Sequence, residues 1–273
     1  MSAYFKWMFA AIAALGVTTA GVAFYRHLRW VPKGKGVFFR GISSWGSPSE
    51  MADRIRREKI GWVIFIGEDW SPQVTSYSPS KIGQYAKAAR DAGADVWLWG
   101  FPAPENQSQW PAHFKALAKE TKAKGVVLNV EKPYYGHDHA SQISQLISNM
   151  QKAGMRVLVS SYGSVKSHPN FPWAAIRGAD GGMPMIYDLK NKLGTSYPPR
   201  SVAQWREMFE VVIPVWGMAA SSGQTLEEEK ALANATPLPQ RAVAAWDAYW
   251  LSRKSGGRGA WYGALDVSKW PRS

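Results

Sequence analysis

No cysteine occurs in the chain, which excludes disulfides, thiolate metal sites and a cysteine nucleophile, though it leaves the redox compartment open. The phosphate-cradling patterns G-x-G-x-x-G and G-x-x-x-x-G-K-[ST] are also missing, which counts against a doubly wound open sheet as the alternative fold, and no cofactor is expected. A G-x-S-x-G elbow is lacking too, which leaves Ser160 and Ser161 without a base partner at sequence level. Acid is scarce: 20 Asp and Glu stand against 33 Lys and Arg, a formal charge of +13. That excess fits anionic surroundings such as phospholipid or envelope phosphates, or a solvated basic surface. No basic stripe or reading module accompanies it, so no specific nucleic-acid partner is expected.

Apolar residues are plentiful at 46%, enough for a packed core, and 273 residues suit one large domain or two small ones. Trp7 to Tyr25 carries no charge and would span roughly 28 Å as a helix, close to the thickness of a bilayer's hydrocarbon core. Aromatic residues flank it, and Arg26 and Arg29 stop it. This reads as an N-terminal transmembrane anchor (residues 1–30), with a cleavable signal peptide as the rival. Residues 31–36 read as a linker and 37–273 as a single catalytic-type domain. The basic C-terminal flank would leave that domain in the cytoplasm by the positive-inside rule, whereas an enzyme acting on the envelope needs it on the periplasmic or extracellular side.

Beyond the linker one pattern repeats: a short apolar run, a turn rich in aromatic and polar residues, then an amphipathic helix. Eight runs fit, at Val37–Ile42, Gly61–Gly67, Ala94–Gly100, Val126–Glu131, Arg156–Tyr162, Gly182–Asp188, Val211–Gly217 and Gly259–Val267. Their period of about 30 residues is that of a strand, a loop and a helix. Ser47, Pro48 and Glu50 form a capping box with proline at the first helical position, and Thr225 with Glu228 repeats the box. Gly93, Gly125 and Gly154 stand where helix C-terminal glycines belong. The expected fold is an α/β (β/α)8 TIM barrel, preceded by one transmembrane helix.

In such barrels the chemistry stands at the carboxyl ends of the strands. Those positions hold Ser44 and Trp45; Glu68, Asp69 and Trp70; Trp97 and Trp99; Asn129, Glu131, Tyr134 and Tyr135; Tyr162; Tyr187 and Asp188; Trp216; Trp261 and Tyr262. Carboxylates and aromatics recur. The chain has 15 Trp, and indole faces stack on pyranose rings, so Trp45, Trp70, Trp99, Tyr134, Tyr162, Trp216 and Trp261 are candidate substrate contacts. In the fourth run Val127, Asn129 and Glu131 share one strand face, while Val126, Leu128 and Val130 share the other. Glu68 and Asp69 read as loop or helix-capping residues. His137, Asp138 and His139 lack metal-ligand spacing and read as a helix start, so no metal is expected.

These motifs resemble known families. Met185–Asp188, MIYD, is similar to the M-x-Y-D motif of chitinase-like glycoside hydrolases of family 18, whose fourth strand ends D-x-E with the Glu as acid. Here that strand ends Asn129–Val130–Glu131, and N-x-E resembles the endo-β-N-acetylglucosaminidases of family 85, where the amide holds the substrate's N-acetyl group. Trp261 resembles the tryptophan that floors the family 18 sugar site, and Leu265–Trp270 echoes the D-V-S-x-W of family 25 lysozymes. The resemblance implies a glycosidase acting on an N-acetylhexosamine polymer, peptidoglycan first.

The residues themselves allow two schemes. In substrate-assisted hydrolysis the sugar's own acetamido oxygen attacks: Glu131 would protonate the leaving oxygen, Asn129 would orient the acetamido group, and Tyr187 and Asp188 would complete the cradle. In the other, Glu131 pairs with Asp188, Glu68 or Asp69 as nucleophile or base. A structural reading pairs Glu131 with Lys132 or Arg40 instead. Asn129 in place of an acid also fits a barrel that binds glycan without cutting it, as an envelope or virion assembly protein would. The expected partners are thus a polysaccharide and, through residues 7–25, a lipid bilayer.

Overall fold

A computed structural model of the chain describes residues 30–39, 41–42, 45–69, 78–105, 107–136, 139–186, 194–216, 231–232, 234–237 and 242–245. Met1–Val31 forms one compact unit and Pro32–Ser273 another. Within the second, eight parallel strands hydrogen-bond in sequence order and close on themselves as a barrel. The strands are β1 (Gly34–Phe39), β2 (Ile60–Asp69), β3 (Asp95–Phe101), β4 (Gly125–Asn129), β5 (Arg156–Tyr162), β6 (Gly181–Met185), β7 (Val215–Trp216) and β8 (Ala242–Ala245). The helices between them are α1 (Pro48–Glu58), α2 (Pro79–Asp91), α3 (Trp110–Thr121), α4 (Ala140–Lys152), α5 (Trp173–Ile176) and α6 (Tyr197–Arg206).

The first seven apolar runs each overlap an observed strand. The eighth does not: the barrel is closed by Ala242–Ala245, which pairs with both β1 and β7, and Gly259–Val267 lies outside the described residues. Gly34 to Gly36, read as linker, already belong to β1. Among the described residues no helix is long and apolar enough to cross a membrane; the stretch from Trp7 to Tyr25 lies outside them.

Strand alternation sorts the core into two layers. Val63, Phe65, Val96, Leu98, Val126, Leu128, Val157 and Val159 join the cluster packed against the helices. Trp62, Ile64, Trp97, Trp99, Val127 and Leu158 are equally buried but stand outside that cluster, on the opposite face. They fill the barrel interior, as close-packed side chains do in this architecture. At its lower end, where the strands begin, Trp62 and Trp97 meet edge-on at 6.2 Å. Glycines opposite make that possible. A Cβ at Gly36 would lie 2.2 Å from Trp62 Cε2, and one at Gly125 would lie 2.5 Å from Trp97 Cζ3.

Helix ends follow local chemistry. The Ser47 N–H donates to Glu50 Oε2 at 2.7 Å and the Glu50 N–H to Ser47 Oγ, completing the expected capping box. Thr225 and Glu228 lie outside the described residues. Gly93 (φ 93) and Gly154 (φ 88) take the left-handed place after α2 and α4. Gly125 does not: α3 is closed by Lys122 in the left-handed region (φ 52), and α1 likewise by Lys59 (φ 52). Gly125 is instead the first residue of β4, where its missing Cβ leaves room for Trp97.

Candidate active site

β4 and β5 carry the site. Their register pairs Asn129 with Ser160, and the pairing runs one residue beyond the ladder. The Val130 N–H donates to the Ser160 carbonyl at 2.9 Å, while Ser161 Oγ donates to the Val130 carbonyl at 2.5 Å. Strand parity therefore persists from Val127 through Asn129 to Glu131, placing both polar side chains at the carboxyl-end mouth of the barrel. A short turn of 3-10 helix, Lys132–Tyr134, then carries the chain away.

Asn129 is 3% exposed, and its Nδ2 donates to Glu131 Oε1 at 2.8 Å. Burial pushes the Glu131 carboxyl above the ordinary carboxylate range, and the Asn129 amide, which favours the charged form, acts in the opposite direction. Glu131 forms no ion pair with Lys132, and Arg40 lies outside the described residues. The other end of the amide is unmatched: Asn129 Oδ1 is buried and accepts no hydrogen bond. An unpaired buried acceptor costs about 1–3 kcal/mol, a cost that a ligand N–H would remove.

Beside this pair lies an aromatic ledge. The Tyr162 ring stacks on His168 with centroids 3.9 Å apart and planes 13° from parallel. Tyr135 meets both edge-on at 6.1 Å and is 39% exposed. Burial, then the charge of Glu131, then Tyr135, raises the Tyr162 phenol above its usual range, which ties the ledge electrostatically to the acid. The loops after β4 and β5 are joined where the Gly136 N–H donates to the Asn170 carbonyl at 3.1 Å. His168 carried no sequence signal beyond its place in the loop after a strand.

Other expected aromatic contacts lie elsewhere. Trp99 is 2% exposed inside the barrel, its Nε1 donating to the Phe39 carbonyl at 3.1 Å. Tyr134 is fully buried; its hydroxyl donates to Gln107 Oε1 at 3.0 Å, and burial and Glu105 raise its phenol. Trp216 donates from Nε1 to Thr236 Oγ1 at 3.1 Å within the outer core. Trp45 packs edge-on against Phe39 at 4.8 Å, beneath the Arg54 guanidinium. Rings so enclosed present no face to a sugar, and packing replaces the substrate contact expected of each. Trp70, Tyr187, Asp188 and Trp261 lie outside the described residues. Glu68 and Asp69 close β2, paired with Gly100 and Phe101 on β3, in place of the loop expected there. His139 stands at the N-cap of α4, its Nδ1 2.7 Å from Gln142 Oε1, and His137 and Asp138 lie outside the described residues.

No protein-family model matches the sequence, and no curated protein is similar to it at sequence level. Solved structures do share the fold. The xylanase and α-amylase inhibitor protein of Scadoxus multiflorus is similar with a TM-score of 0.58 and 12% identity, over 80% of this chain and 94% of that one. A β-mannanase of glycoside hydrolase family 113 from Alicyclobacillus acidocaldarius is similar with a TM-score of 0.57 and 16% identity, over 80% and 87%. The spore cortex-lytic enzyme of Bacillus cereus is similar with a TM-score of 0.51 and 9% identity, over 67% of this chain and 50% of that one. The barrel is thus one that glycoside hydrolases use. It does not single out family 18, 85 or 25.

Proposed function

We propose that this chain is a glycan-acting barrel, a glycosidase for an N-acetylhexosamine-containing polymer with peptidoglycan the first candidate, tethered to a bilayer by residues 7–25. The observation that carries the reading is the Asn129–Glu131 pair. Burial raises the Glu131 carboxyl toward its protonated form, the direction of shift a general acid needs. The unmatched Asn129 Oδ1 would accept the N–H of a 2-acetamido group, turning the acetamido carbonyl oxygen toward the anomeric carbon. Glu131 gives its proton to the glycosidic oxygen as that bond breaks, and its conjugate base then takes a proton from the water that opens the cyclic intermediate. Tyr135, Tyr162 and His168 supply ring surface for a neighbouring sugar. Tyr187 and Asp188 complete the acetamido cradle.

The test is Glu131→Gln in the full chain, given purified sacculi and chito-oligosaccharides. Reducing-end release should fall about 10²–10⁴-fold with the melting temperature maintained; undiminished turnover would sink the acid assignment. A second reading is favoured by one observation: among the described residues, no second carboxylate hydrogen-bonds within the Asn129–Glu131 pair. It is a barrel that binds glycan without cutting it, in an envelope or virion assembly, and it predicts retention on sacculi with no new reducing ends.

A further inference from the structure

Among the described residues, positive charge gathers at one end of the barrel. At the lower end, exposed lysines stand in the turns entering β1, β2 and β4 and at the last residue of the helix before β5, namely Lys33, Lys59, Lys122 and Lys152, and none of these forms an ion pair among the described residues. Neighbouring cations there are committed elsewhere: Lys124 to Asp95 at 2.6 Å and Arg156 to Asp180 at 2.8 Å. At the mouth, the described loops after β3, β4 and β5 carry Glu105 and Glu131 beside Lys132 and Lys166, so the charges there balance.

Two of the four lysines occupy places where the backbone favours glycine. Lys59 and Lys122 are the non-glycine residues with positive φ among the described residues, both at 52°. After α2 and α4 the same left-handed place is taken by Gly93 and Gly154. A side chain there strains the backbone where glycine would not. Helix dipoles alone do not account for these lysines, because Arg56, Arg57 and Lys119 already stand in the last turns of α1 and α3. A cation kept at backbone expense, twice and on one face, has a use for its charge.

We propose that this lower face docks on the anionic phospholipid headgroups of a bilayer. The chain enters β1 at this same end, and the uncharged stretch Trp7 to Tyr25 with Arg26 and Arg29 lies just upstream in sequence. Lipid is therefore the anionic surface nearest along the chain. Juxtamembrane lysines respond to acidic lipid in this way. The mouth with Glu131 then faces away from the bilayer, at a height of roughly 20 Å set by the helices that wall the barrel. The inference shares the membrane tether with the proposed function but not the glycosidase chemistry.

The test reconstitutes the full chain on phosphatidylcholine bilayers and on bilayers in which about a third of the lipid is phosphatidylglycerol. Amide hydrogen exchange is read in the turns entering β1, β2, β4 and β5. Those turns should exchange several-fold more slowly on the acidic bilayer, and high salt should erase the difference. Lys59→Gly/Lys122→Gly keeps the backbone geometry and should lose protection in the β1 and β5 turns, roughly five-fold for each lysine removed. Equal exchange on both bilayers, or full protection in the double variant, would overturn the proposal. So would equal protection by soluble duplex DNA on neutral bilayers, which would assign the face to polyanions. Flotation with neutral vesicles reports on the tether separately, and reducing-end release reports on the glycosidase reading.

Discussion

Glu131 sets the pH behaviour of the site. Because burial raises its folded-state pKa, folding shifts the group toward its protonated form relative to the unfolded chain. Its stabilising contribution is complete below the ordinary carboxylate range and is lost as pH rises through the raised value. Glu131→Gln should therefore gain stability over wild type as pH rises above the ordinary carboxylate range, with the gap closing below it; urea titrations on either side of that range measure it. The same sign governs turnover, which falls on the alkaline side as the acid loses its proton. The Asn129 amide pulls that pKa down, so Asn129→Ala should move the alkaline limb of the rate profile to higher pH while lowering the rate. Much of this pair was legible from sequence, because a two-residue period leaves little choice about which side chains share a strand face. The ledge was not. Nothing in the sequence distinguishes a tyrosine that stacks on His168 from one that is swallowed by the core, as Tyr134 is, since the difference lies in a contact between two loops.

At the level of elements, the strand–helix period identified the barrel, and its misses have local causes. β8 escaped because Ala242–Ala245 is short and weakly apolar, whereas the richer run downstream offered aromatic and aliphatic bulk. β1 began early because glycine and lysine made its first residues read as linker, although Gly36 is there to admit Trp62. Gly36→Ala forces a Cβ against that indole and should cost about 1–3 kcal/mol as an overpacked core, seen as a lowered melting temperature. At the left-handed turns the opposite holds. Lys59→Gly or Lys122→Gly should stabilise the chain by about 1 kcal/mol, while weakening attachment to acidic bilayers. A gain in stability with a loss in binding separates a functional lysine from a merely tolerated one.

For the barrel as a whole, the lower face and the mouth stand at opposite ends of its axis. A phosphatase fused to the C-terminus should be active only if the barrel is exported, and export is the expected outcome for an enzyme of envelope glycan; activity confined to a cytoplasmic reporter would reverse the orientation. The chain should also stay with membranes through alkaline extraction, which strips proteins held by charge alone. The tryptophans that plug the barrel's lower end have a separate, optical consequence. Trp62 and Trp97 cross at 75°, close enough for their indole transitions to couple. Closing the ring of strands should therefore write an exciton signature into the circular dichroism spectrum, one that vanishes when the ring opens and needs no label to be seen.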